Sequence, residues 1–403
     1  MKNKIIALCL TAVLLLPLLS CVGGTGEELT LMIANDLHFI SPSLLGDGEF
    51  FRNPQSRADG KLVHYSPEIT DAFIAEVIKQ KPQALILAGD LTLNGAKVSH
   101  QELAEKLMQI KDAGIDLLII PGNHDFDKTA VDYSGETLKE ADAASAAYFY
   151  ELYDPLIPET LSREGDTFNY IYEASEDLWV LMLDSNTFAE CYVAESTFAW
   201  IEDNLKKAQE AGIDVIAVSH QNIYAHSDML SFGYQLYNAS NLIALYEKYG
   251  VKCNFSAHVH IQSITGKKLP EIVTSSLIVT GLHYGEIVSK RGKIEYSVKS
   301  LETDITVDGY ASFAEYATYY FEKIAKDQAY KTLAESSFSQ EEIELMAKTY
   351  AEINSAYFEG RPIKKKDHAE GIELWRAYGD SFISKYIDSM LSSNGKKQEI
   401  KIK

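Results

Sequence analysis

The 403-residue sequence is poor in positive charge. It has 37 lysine and arginine residues against 58 aspartates and glutamates, which gives a formal net charge of -21 at pH 7. This balance argues against binding to nucleic acid polymers, because such binding needs a positive field facing the phosphates. A small phosphate-bearing substrate remains compatible with the composition, since bound metal ions reverse the sign of the field inside a cleft.

Cysteine is also scarce, with four residues in the chain. Cys9 and Cys21 belong to an apolar N-terminal segment, so Cys191 and Cys253 remain for the folded part. They leave room for one disulfide bond, and their spacing does not decide whether they pair. Cys253 lies in an apolar run, where it is also interpreted as a small buried residue.

Long apolar runs are missing except at the N-terminus. Lys2 and Lys4 precede the apolar run Ile5–Leu19, which ends at Ser20 and Cys21. This pattern predicts a secretory signal peptide over residues 1–20. The ending resembles a bacterial lipobox, which implies lipidation at Cys21 and an exported protein anchored at the bacterial cell membrane or in the periplasm. An ordinary cleaved signal or an uncleaved anchor helix is the alternative, and residues 21–28 are predicted to be a flexible tether.

The chain after the tether predicts an α/β domain over residues 29–300. Short apolar runs bounded by turn-forming residues are typical of buried strands, and helical patterns lie between several of them. This alternation indicates a layered α/β fold, finished by an antiparallel segment over 271–299. The predicted strands are Leu29–Ala34, Ala84–Ala88, Asp116–Ile120, Phe168–Ala174, Leu178–Leu183, Asp214–Ser219 and Val251–Ser256.

From residue 301 to 403 the sequence predicts a helical C-terminal domain. Ser339 and Glu342 form a capping-box pattern at the start of one helix. A further helical pattern covers Ile372–Met390. We expect this domain either to cap a substrate cleft or to buttress the sheet.

Five predicted strands end in side chains that can bind a metal. In open α/β sheets the ligand site lies outside the carboxyl ends of the strands, so these residues are expected to converge. A set of nitrogen and oxygen ligands without thiolate favours Mn, Fe, Co or Zn, and seven ligands are too many for one tetrahedral ion. Two ions sharing a carboxylate fit better. The candidate ligands are Asp36, His38, Asp90, Asn123, His220, His258 and His260.

The order of these motifs resembles the calcineurin-like metallophosphoesterase family. The resemblance covers about residues 30–300 and departs at Ala257, where the family usually has glycine. It implies a layered sandwich of two mixed β-sheets flanked by helices. The motifs are Asp36-Leu37-His38, Gly89-Asp90, Gly122-Asn123-His124-Asp125, His220 and Ala257-His258-Val259-His260.

The resemblance also implies a role for each residue. One metal takes Asp36, His38 and His260, the second takes Asn123, His220 and His258, and Asp90 bridges them. His124 is then the general acid that protonates the leaving oxygen. Asp125 either orients His124 or is a turn or cap aspartate.

Subfamily cues favour hydrolysis of a phosphodiester by in-line attack of a hydroxide held between the metals. Asp90-Leu91-Thr92 resembles a form common in class III cyclic nucleotide phosphodiesterases, and Leu93 disfavours the purple acid phosphatases. A phosphomonoesterase of the same fold is the alternative, and a catalytically inactive surface-binding lipoprotein is a third. Three further residues, Tyr224, His226 and Asp228, could line the pocket, although His226 is more simply interpreted as a hydrogen-bonded loop histidine.

Overall fold

The computed structural model describes residues 28–47, 49–52, 60–229, 232–393, 395 and 397–403. The predicted signal peptide, the lipidation residue Cys21 and all of the tether except Glu28 lie outside the described residues. Across the described ranges, no helix is both long enough and apolar enough to cross a membrane.

Fifteen strands form within the described ranges. In chain order they are β1 (Leu29–Ala34), β2 (Ala84–Ala88), β3 (Asp116–Ile120), β4 (Val131–Asp132), β5 (Lys139–Glu140), β6 (Ser162–Arg163), β7 (Tyr170–Ser175), β8 (Leu178–Leu183), β9 (Asp214–Ser219), β10 (Asn254–Ser256), β11 (Ser263–Thr265), β12 (Glu271–Val273), β13 (His283–Lys290), β14 (Lys293–Ser300) and β15 (Glu399–Ile402). Each apolar run that was predicted to be a strand contains a strand, and the observed strand ends differ from the predicted ends by up to three residues.

Eleven α-helices occupy the same part of the chain. They are α1 (Pro42–Leu45), α2 (Glu49–Arg52), α3 (Ser66–Gln80), α4 (Lys97–Asp112), α5 (Ala146–Tyr153), α6 (Glu195–Ala211), α7 (Ala239–Tyr249), α8 (Phe313–Leu333), α9 (Gln340–Phe358), α10 (Ala369–Tyr378) and α11 (Phe382–Ser392). Short 3-10 turns cover Val63–Tyr65, Asp154–Leu156 and Lys365–His368.

Two large mixed sheets make up the α/β part. The first has the strand order β15-β14-β13-β1-β2-β3 and the second has the order β11-β12-β10-β9-β8-β7-β6. Strands β1, β2 and β3 are parallel to one another, and β8, β9, β10 and β12 form a parallel set in the second sheet. The predicted layered sandwich is confirmed.

The two sheets share one core, and helices cover their outer faces. Every residue of β2 and β8 is buried, as expected for strands covered on both sides. A hydroxyl also joins the sheets: the Tyr170 Oη atom accepts from the Ile119 backbone N–H at 2.8 Å and lies 3.1 Å from the Ile119 carbonyl oxygen. The sheets are therefore fixed relative to each other close to the ends of their parallel strands.

The C-terminal helices pack against the second sheet. Val259, Ile261 and Val273 share an apolar cluster with residues of α8, α9, α10 and α11. The predicted capping box at Ser339 and Glu342 is present, with both reciprocal hydrogen bonds formed. The helical region therefore buries apolar surface of the α/β part.

The structure departs from the sequence prediction at two points in this region. The pattern over Ile372–Met390 is two helices instead of one, because α10 ends at Tyr378 and Gly379 follows with a φ of 97°. Glu399–Ile402 is not helical but forms strand β15, which pairs antiparallel with β14. The period-two pattern of four residues was too short to be recognised as a strand.

Candidate metal centre

The loops that follow five parallel strands meet at one edge of the sandwich. They bring together two groups of side chains whose candidate ligand atoms lie within 4.8 Å of one another. The first group is Asp36, His38, Asp90 and His260, and the second is Asp90, His220 and His258. Because Asp90 belongs to both groups, the two candidate positions are adjacent.

Asp90 lies between the two groups and presents a different oxygen to each. Its Oδ1 atom is 3.4 Å from the Nε2 atom of His220, and its Oδ2 atom is 3.8 Å from the Nε2 atom of His38. A carboxylate in this position can bridge two cations.

The first group combines residues from both sheets. The Nε2 atoms of His38 and His260 are 3.1 Å apart, and the Nε2 atom of His260 is 3.5 Å from an oxygen of Asp36. The Asp36 carboxylate also accepts from the backbone N–H of His258 at 3.2 Å. This hydrogen bond ties the end of β1 to the loop after β10.

The second group includes an amide. The Oδ1 atom of Asn123 is 3.1 Å from the Nε2 atom of His220. On the far side of its ring, His220 Nδ1 lies 2.8 Å from the carbonyl oxygen of Ala88, and His258 Nε2 lies 2.9 Å from that of Gly233. When each of these nitrogens donates to its carbonyl, the lone pair of the other ring nitrogen faces the cluster, an arrangement common around metal-binding histidines.

The backbone is strained at this site. Ten non-glycine residues in the described ranges have a positive φ, and five of them are candidate ligands. Such left-handed conformations cost free energy for residues with a Cβ atom and concentrate at functional sites. The five are Asp36 (52°), His38 (41°), Asp90 (50°), His258 (72°) and His260 (57°).

Two glycines allow the loops to approach each other. A Cβ atom on Gly122 would lie 2.1 Å from the backbone nitrogen of Asp90, and one on Gly89 would lie 2.6 Å from the Nδ1 atom of His220. The motifs Gly-Asp and Gly-Asn-His therefore have a steric basis. Ala257, by contrast, does not have a positive φ, so its methyl group does not strain the backbone there.

His124 and Asp125 have separate positions. The ring of His124 packs edge-on against that of His38, with 4.9 Å between centroids, and its Nδ1 atom lies 2.7 Å from the carbonyl oxygen of Leu93. The carboxylate of Asp125 accepts from the backbone N–H groups of Gly122 and Thr92. Of the two sequence interpretations of Asp125, the geometry supports the turn aspartate, and the Leu93 carbonyl is the group that positions the His124 ring.

The electrostatics of the cluster fit bound cations. The carboxylates of Asp36 and Asp90 are 0% and 1% exposed, and within the described ranges their ion pairs are with histidines alone. Burying two carboxylates without a cation is costly. A donor set of carboxylates, imidazoles and one amide suits a pair of transition-metal ions.

The pKa shifts in the cluster follow from burial and from Asp90. Burial would raise the pKa of Asp90, but His220, His124 and His38 outweigh it and hold that pKa well below its ordinary value. Burial opposes protonation of His220, yet Asp90 and Asp36 raise its pKa to about 9. Burial, followed by nearby positive charge, lowers the pKa of His38 and lowers that of His258 to about 4. Without metal, the Asp90–His220 pair therefore holds a proton that a cation would displace.

Sequence reasoning missed the groups that hold the ligands in place. The Nδ2 atom of Asn35 donates to the carbonyl oxygens of Ser256 and Thr274, which joins the two sheets beside Asp36. The carbonyl groups of Leu93 and Gly233 were also missed, because any residue supplies a carbonyl. Asn35 lies directly before the Asp36-x-His38 motif, and that position was the only available signal for it.

Tyr224, His226 and Asp228, in the loop after His220, take no part in the cluster. His226 is buried and its Nε2 atom lies 3.0 Å from a carboxylate oxygen of Glu271, as expected for a hydrogen-bonded loop histidine. His226 and Asp228 line a separate cavity of about 220 Å³, while the backbone N–H of Tyr224 donates to Glu271. Cys191 and Cys253 are both buried as free thiols, so they do not pair.

A cavity of about 370 Å³ opens beside the cluster. His258, His260 and Lys61 are among the residues that line it, together with residues of α8, α9 and α11. The helical region thus both buttresses the second sheet and covers the space next to the candidate metal positions.

Comparison with known proteins is consistent with this geometry. Residues 29–262 match the calcineurin-like phosphoesterase family, and residues 306–397 match the C-terminal domain of cyclic nucleotide phosphodiesterase. No match is found among curated proteins.

Two solved structures are similar to this chain at low sequence identity. A dimetal phosphatase from Danio rerio superposes with a TM-score of 0.51 at 11% identity, over 69% of this chain and 98% of that chain. A purple acid phosphatase from yellow lupin gives a TM-score of 0.44 at 10% identity, over 70% of this chain and 53% of that chain. The family match spans more than half of the sequence. The chain therefore belongs to the calcineurin-like phosphoesterases, a family of metal-dependent hydrolases, and carries the C-terminal domain of cyclic nucleotide phosphodiesterase.

Proposed function

We propose that the protein hydrolyses a phosphodiester of the nucleotide type, with a cyclic nucleotide as the leading candidate. The observation that carries this proposal is the C-terminal match over residues 306–397. Helices of that same segment line the cavity beside His258 and His260. A domain that forms the wall of the cavity is in a position to select the substrate.

Two divalent cations would be held by the seven clustered side chains. In this proposal Asp36, His38 and His260 bind one cation, and Asn123, His220 and His258 bind the other. Asp90 is shared by both. Bound there, the cations would supply a nucleophilic water of lowered pKa and neutralise the phosphoryl oxygens.

His124 supplies the proton in this proposal. With Nδ1 donating to the Leu93 carbonyl at 2.7 Å, the Nε2 atom of its protonated ring is the one available to the leaving oxygen. Its ring borders that of His38, so a phosphoryl group at the cluster lies within its reach. General acids of this kind contribute roughly 10²- to 10⁴-fold to the rate.

The test is a comparison of two chromogenic esters in the presence of added Mn²⁺. We expect turnover of bis(p-nitrophenyl) phosphate with a higher kcat/KM than that of p-nitrophenyl phosphate, and close to two metal ions per chain by elemental analysis. Asp90→Asn should lose most metal and turnover, whereas Asp71→Asn, on an exposed side chain, should keep both. Preference for the monoester would assign the protein as a phosphomonoesterase, and absence of metal and of turnover would leave a binding protein.

We also propose that the protein is exported and lipid-anchored at Cys21, on the lipobox resemblance of residues 18–21. Detergent partitioning and labelling with a radioactive fatty acid test it in a bacterial host. Cys21→Ser should abolish the label, whereas Cys9→Ser should retain it. A label that survives Cys21→Ser contradicts the anchor.

A further inference from the structure

The cavity beside the cluster is lined by two chemically different kinds of side chain. The first kind is polar and includes His258, His260 and the positively charged Lys61, which suit a phosphoryl group. The second kind is aromatic and comes from the helical region and from the loop before α7, and it includes Phe321, Phe358 and Tyr234. A volume of about 370 Å³ is within the range of small-molecule sites.

Several of the aromatic rings that line the cavity contact one another or a candidate ligand. Phe321 and Phe358 contact each other with 4.8 Å between centroids, and Tyr234 lies against His258 at 5.0 Å. Phe382 stacks on Tyr386 at 5.6 Å with an interplanar angle of 29°, and Phe382 is 60% exposed. Flat aromatic surfaces of this kind bind planar rings by stacking.

One polar atom among the residues that line the cavity is unpaired. Asn354 lies on α9, lines the cavity and is 7% exposed. Its Oδ1 atom is buried and has no hydrogen-bond partner among the described residues. An unsatisfied buried acceptor is unfavourable unless a donor reaches it, and a ligand in the cavity that Asn354 lines is one source of such a donor.

We propose that this cavity binds the base of a nucleotide ester, with the ring stacked among the aromatic side chains and Asn354 hydrogen-bonded to the edge of the base. The inference rests on the proposed function and specifies which residues recognise the base of its substrate. A side-chain amide both donates and accepts, and it therefore matches adjacent donor and acceptor groups on a base edge. The phosphate of the same molecule would then lie near His258 and His260.

The first experiment compares substrates with and without a base. We expect kcat/KM for adenosine or guanosine 3′,5′-cyclic phosphate to exceed that for the base-less ribose 3′,5′-cyclic phosphate by about ten-fold or more, the size expected for a stacked base. Asn354→Leu and Phe382→Ala should each remove much of this advantage and should lower turnover of the base-less ester far less. Tyr319→Ala, an exposed aromatic of α8 that does not line the cavity, is the matched control.

The second experiment changes the hydrogen-bonding character of the amide. Asn354→Asp leaves a group that only accepts, and guanine offers two neighbouring donors where adenine offers a donor beside an acceptor. The ratio of guanosine to adenosine turnover should therefore rise several-fold. If a substitution of the buried Asn354 impairs folding, Phe382→Ala still tests base binding in the cavity, because Phe382 is mostly exposed.

Binding without turnover separates this inference from the proposed function. We expect AMP to bind more tightly than ribose 5-phosphate in calorimetry, and Phe382→Ala to reduce that difference. Equal binding of the two, or equal turnover of base-bearing and base-less esters, would overturn the inference while leaving the metal-dependent hydrolysis intact. Tight AMP binding by a protein without phosphodiesterase turnover would instead overturn the proposed function and retain the cavity assignment.

Discussion

His38 and His260 face each other with their Nε2 atoms 3.1 Å apart, although they follow strands of different sheets. Two such nitrogens repel through their lone pairs unless a proton or a cation lies between or beside them. The site is therefore complete only when the two sheets are packed together. Binding of metal and stability of the sandwich should be coupled.

Metal removal should accordingly destabilise the protein. A ligand present at 100 times its dissociation constant stabilises the native state by about 2.7 kcal/mol, so chelation should lower Tm by several degrees. Thermal unfolding with EDTA and then with excess Mn²⁺ measures the shift. His38→Ala should show a smaller Mn²⁺-dependent shift than the wild type, and an equal shift would contradict the assignment of His38.

His124→Asn should separate metal binding from proton transfer. We expect both metals to be retained and kcat to fall roughly 10²- to 10⁴-fold for esters with a poor leaving group, because these depend on protonation. A p-nitrophenyl ester leaves without a proton and should be affected much less. Equal losses for alkyl and p-nitrophenyl esters would show that His124 is not the acid.

Gly122→Ala tests the close approach of two loops. The added Cβ atom would lie 2.1 Å from the nitrogen and 2.2 Å from the Oδ1 atom of Asp90, so the loop must move away from the bridging carboxylate. We expect reduced metal content and a Tm lower by several degrees. Gly135→Ala is the control, since nothing lies closer than 3.7 Å to its added Cβ atom. Unchanged metal content in Gly122→Ala would refute this role.

Acid should destabilise the fold partly through His283. Burial lowers its pKa to about 4, with Glu359 and Arg361 as its charged neighbours. The unfolded histidine takes up a proton near pH 6.5 while the folded one stays neutral, so stability is full above that pH and falls towards pH 4, by about 3 kcal/mol for this group. Urea unfolding at pH 7 and pH 5 measures the loss. His283→Leu should make the loss smaller, and an identical loss in the variant would assign it to other groups.

The sequence predicted most of the strands and the convergence of the candidate ligands for a simple physical reason. Apolar runs ending in Asp36, Asp90 or His220 mark the carboxyl ends of parallel strands, and those ends must share an edge. The positive φ values of the same residues were not predictable, because aspartate and histidine prefer negative φ in isolation. Only the packed loops hold them there.

Contacts made through backbone atoms were also beyond prediction. The carbonyl oxygens of Leu93 and Gly233 fix the rings of His124 and His258. Every residue has a backbone carbonyl group, so the residue type does not reveal such a contact. The role of Asp125 depended on whether its carboxylate reached His124 or the N–H groups of Gly122 and Thr92, and spacing alone cannot separate the two. The helix break at Gly379 was hidden because apolar residues continue on both sides of it.

Strand β15 has a consequence for how the helical region can move. The region leaves the first sheet after β14, and the chain returns to pair with the same strand through β15. Both ends of the helical region are therefore connected to the first sheet. Swinging it outward would require two connections to bend together and a row of sheet hydrogen bonds to break. We therefore expect small molecules to enter the cavity without hinged opening of the helical region. Long polymers, which would need such an opening, should be kept out.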